Sequence, residues 1–275
     1  MGGAPLLIVD GDNLAHRAYH STPKTVRGAE DRPINAIVGF FSMLTRIWQE
    51  EHPRGIFVAW DTLGVDTYRS KLWPAYQTGR VFDPEIVEQL ELLPALCKAC
   101  GMGVGKQPGA EADDLMASAA RAEVEAGGSC LVLTTDRDAY QLVSDQVTVL
   151  APKRGQRELE RVDCREVVAR LGVLPEQVPA FKALSGDSSD RIPGLPGVGP
   201  KSAASLLLKH GTLQRVLEQW ARPEEVRLAE TFYEIVLMRG DLAADLPQVQ
   251  PNWSEGADTL EQIGAAGLAA RLRNL

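Results

Sequence analysis

Side chains that bind metals through nitrogen or sulfur are scarce in this chain. Its 275 residues include four histidines and four cysteines, and Cys97 and Cys100 form a single CxxC pair. No second cysteine pair and no histidine pair completes a zinc site with it. The pair also ends a helical hydrophobic pattern. We therefore interpret both cysteines as small, buried, apolar side chains.

Long apolar runs are absent as well. No stretch reaches the roughly 20 residues that span a bilayer, so we expect no membrane partner. The first residues, MGGAPLLIVDGDNL, lack the basic region and the long apolar stretch of a secretory signal. We therefore expect a cytoplasmic protein. The composition, 44% hydrophobic and 24% charged, is that of a globular chain with a sizeable core.

Positive charge is in deficit. The chain has 29 Lys and Arg against 37 Asp and Glu, a net charge of −8, which ordinarily argues against a nucleic-acid ligand. The strength of that argument depends on where the acids lie. Nine of them belong to the candidate site described below, and without these nine the net charge would be +1. The acidic balance therefore does not exclude a polyanionic substrate.

Short apolar runs alternate with helical patterns along the first half of the chain. Runs at 6–10, 55–61 and 130–138 predict buried strands, and a run at 147–150 predicts a fourth. This alternation predicts an α/β fold with a mainly parallel sheet. The first three runs bring aspartates to the carboxyl edge of the sheet, where such folds have their functional crevice. The helical patterns lie at 34–51, 84–101 and 115–127.

An unusually acidic helix start occurs within PGAEADDLMASAARAE, residues 108–123. Glu111, Asp113 and Asp114 all fall in its first turn. The helix dipole favours negative charge there, but three acids in four residues exceed what capping requires. We therefore add them to the candidate site.

The acidic residues at the sheet edge, at this helix start and in a later turn together predict a metal site. Like charges this close do not all stay ionised without a cation. Oxygen ligands without nearby His or Cys favour Mg²⁺ or Mn²⁺. Nine ligands suffice for two ions, and a two-ion site suits in-line displacement at phosphorus. The candidates are Asp10, Asp61, Glu111, Asp113, Asp114, Asp136, Asp138, Asp187 and Asp190.

The glycine-rich stretch GLPGVGPKSA, residues 194–203, is a candidate phosphate contact. It is not the phosphate loop of nucleotide hydrolases, because Pro200 precedes Lys201 and no strand comes before the stretch. A hairpin between two helices would let Gly197 and Gly199 approach a phosphate closely, without reading base sequence. A purely structural turn is the alternative. The basic residues around it are Lys182, Arg191, Lys201 and Lys209.

A second basic stretch, DTYRSKLWPAYQTGR at 66–80, interleaves Arg and Lys with aromatic residues. This pattern suits a single-stranded nucleic acid, with phosphates on the charges and bases on the rings. The alternative is an amphipathic surface segment whose aromatics lie in the core. Arg17, in the helix after Asp10, is placed to reach the same crevice.

Taken together, these motifs resemble the 5′-nuclease family. That family includes the nuclease domain of bacterial DNA polymerase I, free-standing bacterial 5′–3′ exonucleases, phage 5′ nucleases and flap endonucleases. The resemblance covers most of residues 6–215 and implies a free-standing enzyme. Its motifs are VDGDNLAHRAY, AWD, YRSKLWPAYQTGR, GAEADDLMA, LTTDRDAYQLV and SGDSSDRIPGLPGVGPKSA.

The resemblance implies a PIN-like α/β core over residues 1–175, a helix–three-turn–helix DNA-binding element over 176–221 and a C-terminal helical segment over 222–275. It also implies a helical arch at about 64–110 that admits a 5′ single strand. Five carboxylates would serve mainly the first metal ion: Asp10, Asp61, Glu111, Asp113 and Asp114. Four would serve mainly the second ion: Asp136, Asp138, Asp187 and Asp190.

Basic and hairpin residues are implied to hold DNA. Arg17, Arg69 and Lys71 would draw the scissile phosphodiester toward the metals, and K⁺ would bind at the glycine hairpin. Gln77 stands where the family commonly has Lys, and Arg191 stands where Asn is common. The expected DNA contacts are Arg17, Arg69, Lys71, Tyr76, Arg80, Lys182, Arg191, Gly197, Gly199, Lys201 and Ser202.

The implied activity is structure-specific 5′ nuclease action, both 5′–3′ exonuclease and flap endonuclease, by two metal ions in replication and repair. DNA with 5′ flaps or RNA-primed ends would be the substrate of a monomer that works alongside DNA polymerase and ligase. Two alternatives stay open. One is a haloacid-dehalogenase-type phosphatase built on DGDN, Thr134 or Thr135, and GDSSD. The other is a catalytically weak protein that binds DNA structures.

Overall fold

A six-stranded sheet lies at the centre of the computed structural model, which describes residues 3–79, 82–153 and 158–275. The strand order is β3-β2-β1-β4-β5-β6. All neighbouring pairs are parallel except β5 and β6, so the predicted α/β class with a mainly parallel sheet is confirmed. The strands are β1 (Leu6–Asp10), β2 (Gly55–Trp60), β3 (Gly103–Lys106), β4 (Cys130–Leu133), β5 (Val147–Pro152) and β6 (Leu159–Val162).

Helices cover both faces of this sheet, as its central strands require. Every residue of β1, β2 and β4 is buried, which is the pattern of parallel strands packed on two sides. The helices are α1 (Gly11–Ser21), α2 (Asn35–Glu51), α3 (Tyr68–Leu72), α4 (Pro84–Ala99), α5 (Ala112–Glu125), α6 (Cys164–Leu171), α7 (Val178–Ser185), α8 (Pro200–His210), α9 (Leu213–Leu217), α10 (Pro223–Val236), α11 (Trp253–Gln262) and α12 (Ala266–Leu272).

The alternation of side chains along β1 divides the core into two layers. Leu6 and Ile8 pack in the layer that contains α5, α7, α8 and α10. Leu7 and Val9 pack in the opposite layer, with α1, α2, α4, α11 and α12. Cys97 and Cys100 are buried and unpaired in this second layer, as predicted.

Two of the implied segments contain parts that pack in different places in the structure. Within the arch segment, 64–110, helix α4 and strand β3 belong to the sheet and its second layer. Described residues on both sides of this pair, among them Thr67, Tyr76 and Ala110, line a pocket with Asp61 and Glu111 at the sheet edge. Within 222–275, α10 packs against α7, whereas α11 and α12 pack on the opposite face. In the described part of the chain, no helix combines the length and the apolar character needed to cross a membrane.

Candidate metal centre

Five carboxylates meet at the carboxyl edge of the sheet. Asp10 ends β1, Asp61 follows β2, Asp136 follows β4, and the start of α5 adds two more. All five line one cleft of about 310 Å³, which Asp12 and Asp190 also line. The parallel sheet brings these residues together because the same ends of its strands share an edge. The strand-edge cluster consists of Asp10, Asp61, Glu111, Asp113 and Asp136.

Hydroxyl and amide groups fix the orientation of Asp10 and Asp136. The backbone N–H of Asn13 and the Thr134 hydroxyl donate to the Asp10 carboxylate, at 3.1 and 2.7 Å. The Thr134 oxygen also accepts from the Asp136 amide, at 3.0 Å. Thr134 therefore links two members of the cluster, a role that the sequence does not indicate.

Asp12 orients Asp61. The Asp61 amide donates to Asp12 Oδ2 over 2.7 Å, and the Ala112 amide at the start of α5 donates to Asp61 Oδ1 over 2.7 Å. These two bonds connect α1, β2 and α5 directly at the cleft. Asp12 is therefore a further acid of the site, although the sequence analysis assigned it no role in metal binding.

The electrostatics of the cluster favour an added cation. Burial, together with the charges of Asp136 and Asp61, raises the pKa of Asp10 to about 7, although the hydrogen bonds from Thr134 and Asn13 oppose the shift. Burial and the charges of Asp136 and Asp10 raise the pKa of Asp113 well above its usual range. Asp136 thus interacts with Asp10 and Asp113, residues that the resemblance assigned to the other metal ion. Like charges in one desolvated cleft resist ionisation unless a cation joins them.

Arg69 lies behind this cluster and pairs with Asp114. Its guanidinium nitrogens donate to the two Asp114 oxygens at 2.8 and 2.7 Å, and the Arg239 amide donates to Asp114 Oδ1. Arg69 is 2% exposed and Asp114 is 0% exposed. A bidentate pair of this kind uses both carboxylate oxygens. Asp114 therefore stabilises the wall of the site, and Arg69 has no surface for a phosphate.

Glu111 closes the cluster on the side of the segment before α4. The Thr67 hydroxyl donates to Glu111 Oε1 over 2.7 Å and the Tyr76 hydroxyl donates to Oε2 over 2.9 Å. Arg69 lies 3.6 Å from the same oxygen. Burial raises the pKa of Glu111, and Arg69 and these hydroxyls partly offset the shift. Tyr76, 7% exposed, therefore points into the site instead of offering its ring to a base.

Three further carboxylates form a second group, the turn cluster, which consists of Asp138, Asp187 and Asp190. One oxygen from each lies within 4.8 Å of the others, close enough to hold one metal ion. The Lys182 ammonium contacts Asp138 and lies 2.6 Å from Asp187 Oδ2. Burial raises the pKa of Asp187, but Lys182 and Ser189 more than offset this, and the net shift is downward. Lys182 is 8% exposed, so its ammonium pairs with these acids and is not presented at the protein surface.

The other predicted DNA contacts lie outside the two clusters. Lys71 and Arg191 are exposed, and Arg17 donates to the Lys153 carbonyl. Arg191 donates to Thr78 Oγ1 over 2.7 Å, so it also contacts the segment before α4. Arg80 lies outside the described residues.

The glycine hairpin presents open backbone. Gly197 has a φ of +79°, which favours glycine, whereas Gly199 has an ordinary φ of −88°. A Cβ added at either glycine would meet no described atom within 4 Å. Packing therefore does not explain Gly199, and the open surface suits close approach of a ligand. Lys201 and Ser202 are exposed in the first turn of α8.

Two protein-family profiles match the chain in succession. Residues 5–172 match "5′-3′ exonuclease, N-terminal resolvase-like domain", and residues 173–250 match "5′-3′ exonuclease, C-terminal SAM fold". The boundary between them falls just before α7. The first match holds the strand-edge cluster and Asp138, and the second holds Asp187, Asp190 and the hairpin.

Relatives and solved structures agree with these matches. DNA polymerase I of Mycobacterium tuberculosis is 40% identical over 215 residues, 78% of this chain and 24% of that protein. DNA polymerase I of Bacillus caldotenax is 37% identical over 244 residues, 87% of this chain and 28% of that protein. The chain thus spans about a quarter of the length of the curated relatives it matches.

Two structures share the fold. One is T5 5′-exonuclease with bound zinc, with a TM-score of 0.70, 21% identity and 98% coverage of both chains. The other is a bacteriophage T5 flap endonuclease solved with DNA and metal ions, with a TM-score of 0.68, 21% identity and 98% coverage of both chains.

Proposed function

The chain belongs to the 5′–3′ exonuclease family, and on that premise we propose that it is a metal-dependent nuclease that hydrolyses DNA phosphodiesters at 5′ flaps and 5′ ends. The observation that carries the proposal is the convergence of seven carboxylates, the strand-edge cluster with Asp12 and Asp190, on one cleft. A solvated acidic surface would not need the hydrogen bonds that aim Asp10, Asp61 and Glu111 into this cleft.

The residues present fit two divalent cations with oxygen ligands. The strand-edge cluster would hold one ion, since Asp10 and Glu111 are buried and the pKa values of Asp10, Glu111 and Asp113 are raised. The turn cluster would hold the other, with Lys182 as the group already neutralising it. A ligand set made of carboxylate oxygens favours Mg²⁺ or Mn²⁺. When bound, such ions neutralise charge on a phosphodiester and lower the pKa of water.

The protein positions the groups that would surround these ions. Thr134 and Asn13 orient the Asp10 carboxylate. Asp12 holds the backbone at Asp61, and the Arg69–Asp114 pair holds the start of α5. Phe82 and His16, whose ring centroids are 5.1 Å apart, also line the cleft. Among the described residues of the segment before α4, Lys71 is exposed on α3 and available to a phosphate.

The duplex would bind at the glycine hairpin. Gly197 and Gly199 leave its backbone open, and Lys201 and Ser202 stand at the start of α8, where amide groups and the helix dipole attract a phosphate. Contacts of this kind position DNA without reading its sequence. K⁺ on the hairpin carbonyls would strengthen the same contact. The T5 enzyme of the same fold was solved with DNA and metal ions.

The cellular setting is part of the proposal. DNA polymerase I relatives support work on DNA in replication and repair, which would place the chain in a bacterial cytoplasm beside polymerase and ligase. RNA-primed 5′ ends are a further substrate of this type. We propose that the chain acts as a monomer.

Different observations disfavour the phosphatase and the DNA-binding alternatives. A haloacid-dehalogenase-type phosphatase needs a strand before its last acidic motif, but GDSSD follows helix α7. It would also leave Asp61, Glu111 and Asp113 without a role. A DNA-binding protein without catalysis keeps the hairpin but needs none of the buried acids, so the hydrogen-bonded cluster disfavours it. Gln77 in place of the family's usual Lys is the observation that keeps this alternative testable.

The experiment uses one DNA substrate with a single-stranded 5′ flap labelled at its 5′ end. We expect release of a short flap oligonucleotide with Mg²⁺ or Mn²⁺ and none with EDTA, and mononucleotides where exonuclease action dominates. p-Nitrophenyl phosphate, a small phosphomonoester, serves as the control and should stay intact. Tight binding without cleavage in either metal would favour the DNA-binding alternative, and hydrolysis of the monoester alone would favour the phosphatase.

A further inference from the structure

A continuous chain of hydrogen bonds joins the strand-edge cluster to the turn cluster. The Tyr76 hydroxyl donates to Glu111 Oε2 over 2.9 Å and accepts from Gln77 Nε2 over 2.8 Å. The same Gln77 nitrogen donates to Asp190 Oδ1 over 3.0 Å. Two consecutive side chains therefore span the distance between a carboxylate of one cluster and a carboxylate of the other.

The donors and acceptors in this chain match without conflict. A side-chain NH₂ group has two hydrogens, and here one faces a hydroxyl oxygen and the other faces a carboxylate. A phenol both donates and accepts, and Tyr76 does both. Tyr76 and Asp190 are 7% and 8% exposed and Gln77 is half-buried, so these bonds are shielded in part from solvent, which strengthens them. The arrangement is therefore a built network and not a chance surface contact.

The backbone at Gln77 is adapted to this role. Its φ is +48°, in the left-handed region that residues with a Cβ rarely adopt. A conformation of this kind persists where surrounding structure holds it in place. Here the backbone N–H of Gln77 also approaches the backbone carbonyl of Asp190, at 3.5 Å. The local turn thus aims the Gln77 side chain at Asp190.

Two further bonds attach the Asp190 turn to the same segment. The Trp73 indole donates to the Arg191 carbonyl over 3.1 Å, and the Arg191 guanidinium donates to Thr78 Oγ1 over 2.7 Å. Asp190 is therefore positioned by residues 73–78 as well as by its own turn. Any movement of this segment would move Asp190 relative to Glu111.

An uncharged donor suits a position between two metal-binding carboxylates. The lysine that the family commonly has at this position would bring a positive charge to Asp190, as Lys182 does to Asp138 and Asp187. An amide orients one Asp190 oxygen and leaves the negative charge for the cation. Gln77 thus fixes geometry without reducing the charge of the site.

We propose that Tyr76 and Gln77 are positioning residues that set the separation of the two clusters, so that binding of the second divalent cation depends on the conformation of the segment over residues 66–79. The inference rests on the proposed metal-dependent function. It assigns Gln77 a role that needs no contact with DNA.

The test counts Mn²⁺ bound to the DNA-free protein, by electron paramagnetic resonance of the free ion. The variants are Gln77→Met, which keeps length but removes the donors, Tyr76→Phe, and the double variant. We expect two sites in wild type and a weaker site that loses about tenfold in affinity in each single variant. The double variant should lose no more than the worse single variant, because both changes break one chain. Gln107→Met, at an exposed glutamine outside the network, is the matched control and should bind Mn²⁺ as wild type does.

Flap cleavage gives a second measurement on the same variants. The Mg²⁺ concentration for half-maximal cleavage should rise about tenfold, whereas kcat at saturating Mg²⁺ should stay within about threefold of wild type. Unchanged melting temperatures would show that the effect is not loss of folding.

Three results would overturn the inference: an unchanged weaker Mn²⁺ site in Gln77→Met and Tyr76→Phe, additive losses in the double variant, or one Mn²⁺ site only in wild type. Failure of the proposed function is a separate result. Wild type that binds two Mn²⁺ and cleaves no flap would contradict nuclease activity, yet the Mn²⁺ affinities of the variants would still decide whether Tyr76 and Gln77 position the clusters.

Discussion

The strand-edge cluster and the turn cluster differ in where their compensating positive charge lies. Beside the first lies Arg69, 3.6 Å from Glu111, which is behind the cleft and is bound by Asp114. The turn cluster has Lys182 directly between Asp138 and Asp187. Burial raises the pKa of Asp10 to about 7, whereas Asp187, half-buried beside Lys182, has a lowered pKa.

This difference indicates that the two clusters depend on external cations to different degrees. The strand-edge cluster holds buried carboxylates that ionise at a cost unless a cation enters the cleft. The turn cluster is already neutralised in part by the protein itself. The first should therefore bind a divalent ion more tightly, and the second should gain its ion only when Lys182 is displaced or shared.

The largest expected effect is that of Asp136→Asn on cleavage. Asp136 faces Asp10 and Asp113 and is linked to Asp10 through Thr134. Because a metal ion supplies several kcal/mol of transition-state stabilisation, we expect kcat to fall on the order of 1,000-fold. DNA affinity should stay near the wild-type value, since the hairpin is untouched. Single-turnover flap cleavage and fluorescence anisotropy in Ca²⁺ measure the two quantities.

Asp145→Asn is the matched control for this substitution. Asp145 is an exposed carboxylate just before the start of β5, at the opposite edge of the sheet, and it lines no part of the cleft. The Asp145→Asn variant should cleave the flap at the wild-type rate. Turnover of Asp136→Asn near the wild-type rate would contradict a metal-binding role for Asp136.

Arg69→Met should cause the largest loss of folding stability. The substitution removes the cation from a pair in which both side chains are buried and leaves the Asp114 charge with backbone amides as its donors and no cation paired with it. Breaking a buried pair in this way costs about 3–5 kcal/mol. Urea unfolding monitored by circular dichroism gives the free energy of unfolding. Arg121→Met, which removes an exposed pair with Glu125, is the control and should leave the unfolding midpoint unchanged. An equal loss of unfolding free energy in both variants would contradict a stabilising role for the buried Arg69–Asp114 pair.

The strands with acids at their ends could be predicted because they are continuous apolar runs. Residues 6–10 and 55–61 correspond closely to β1 and β2. Strand β3 was missed, since its sequence GVGK carries two glycines and little apolar character. The structure explains Gly105, where a Cβ would lie 2.7 Å from the Phe57 ring. Strand β6, LERV, was missed because an edge strand with polar residues does not differ from a loop in sequence.

The acids of the site could be predicted, but the partners of the basic residues could not. Sequence position placed Arg69, Tyr76 and Lys182 among DNA contacts, whereas all three bind carboxylates inside the protein. A basic residue near an acidic cleft can face either the substrate or the acids. Only the three-dimensional path of α3 and α7 decides between these orientations.

The pH dependence of stability should differ in sign between the clusters. The pKa of Asp10 rises from 3.8 to about 7 on folding, so its contribution to stability is complete below pH 4 and is lost as the pH rises through 7. In EDTA the free energy of unfolding should therefore fall by about 2 kcal/mol between pH 5 and pH 8. Asp187 has a lowered pKa and loses its contribution only as the pH falls below about 4.

Metal and mutation separate these contributions. Saturating Mg²⁺ should reduce the loss of stability between pH 5 and pH 8, because the cation favours ionised Asp10. Asp10→Asn should reduce the same loss in EDTA. Thermal or urea unfolding at both pH values supplies the measurement, and stability that rises from pH 5 to pH 8 in EDTA would contradict the assignment to Asp10.

The smallest expected effect, and the most direct contrast between the clusters, comes from Lys182→Met. Without the ammonium, Asp138 and Asp187 would lie together with no internal cation, so the variant should be less stable than wild type in EDTA. A divalent ion no longer competes with Lys182, and Mg²⁺ should therefore stabilise the variant by about 1 kcal/mol more than it stabilises wild type. Melting curves across a Mg²⁺ titration measure this difference, with the exposed Lys201→Met as the control that should behave as wild type does. An equal Mg²⁺-induced rise in the melting temperature of Lys182→Met and wild type would mean that Lys182 and the metal ion do not share a site, and the turn cluster would then hold its ion beside the ammonium instead of in its place.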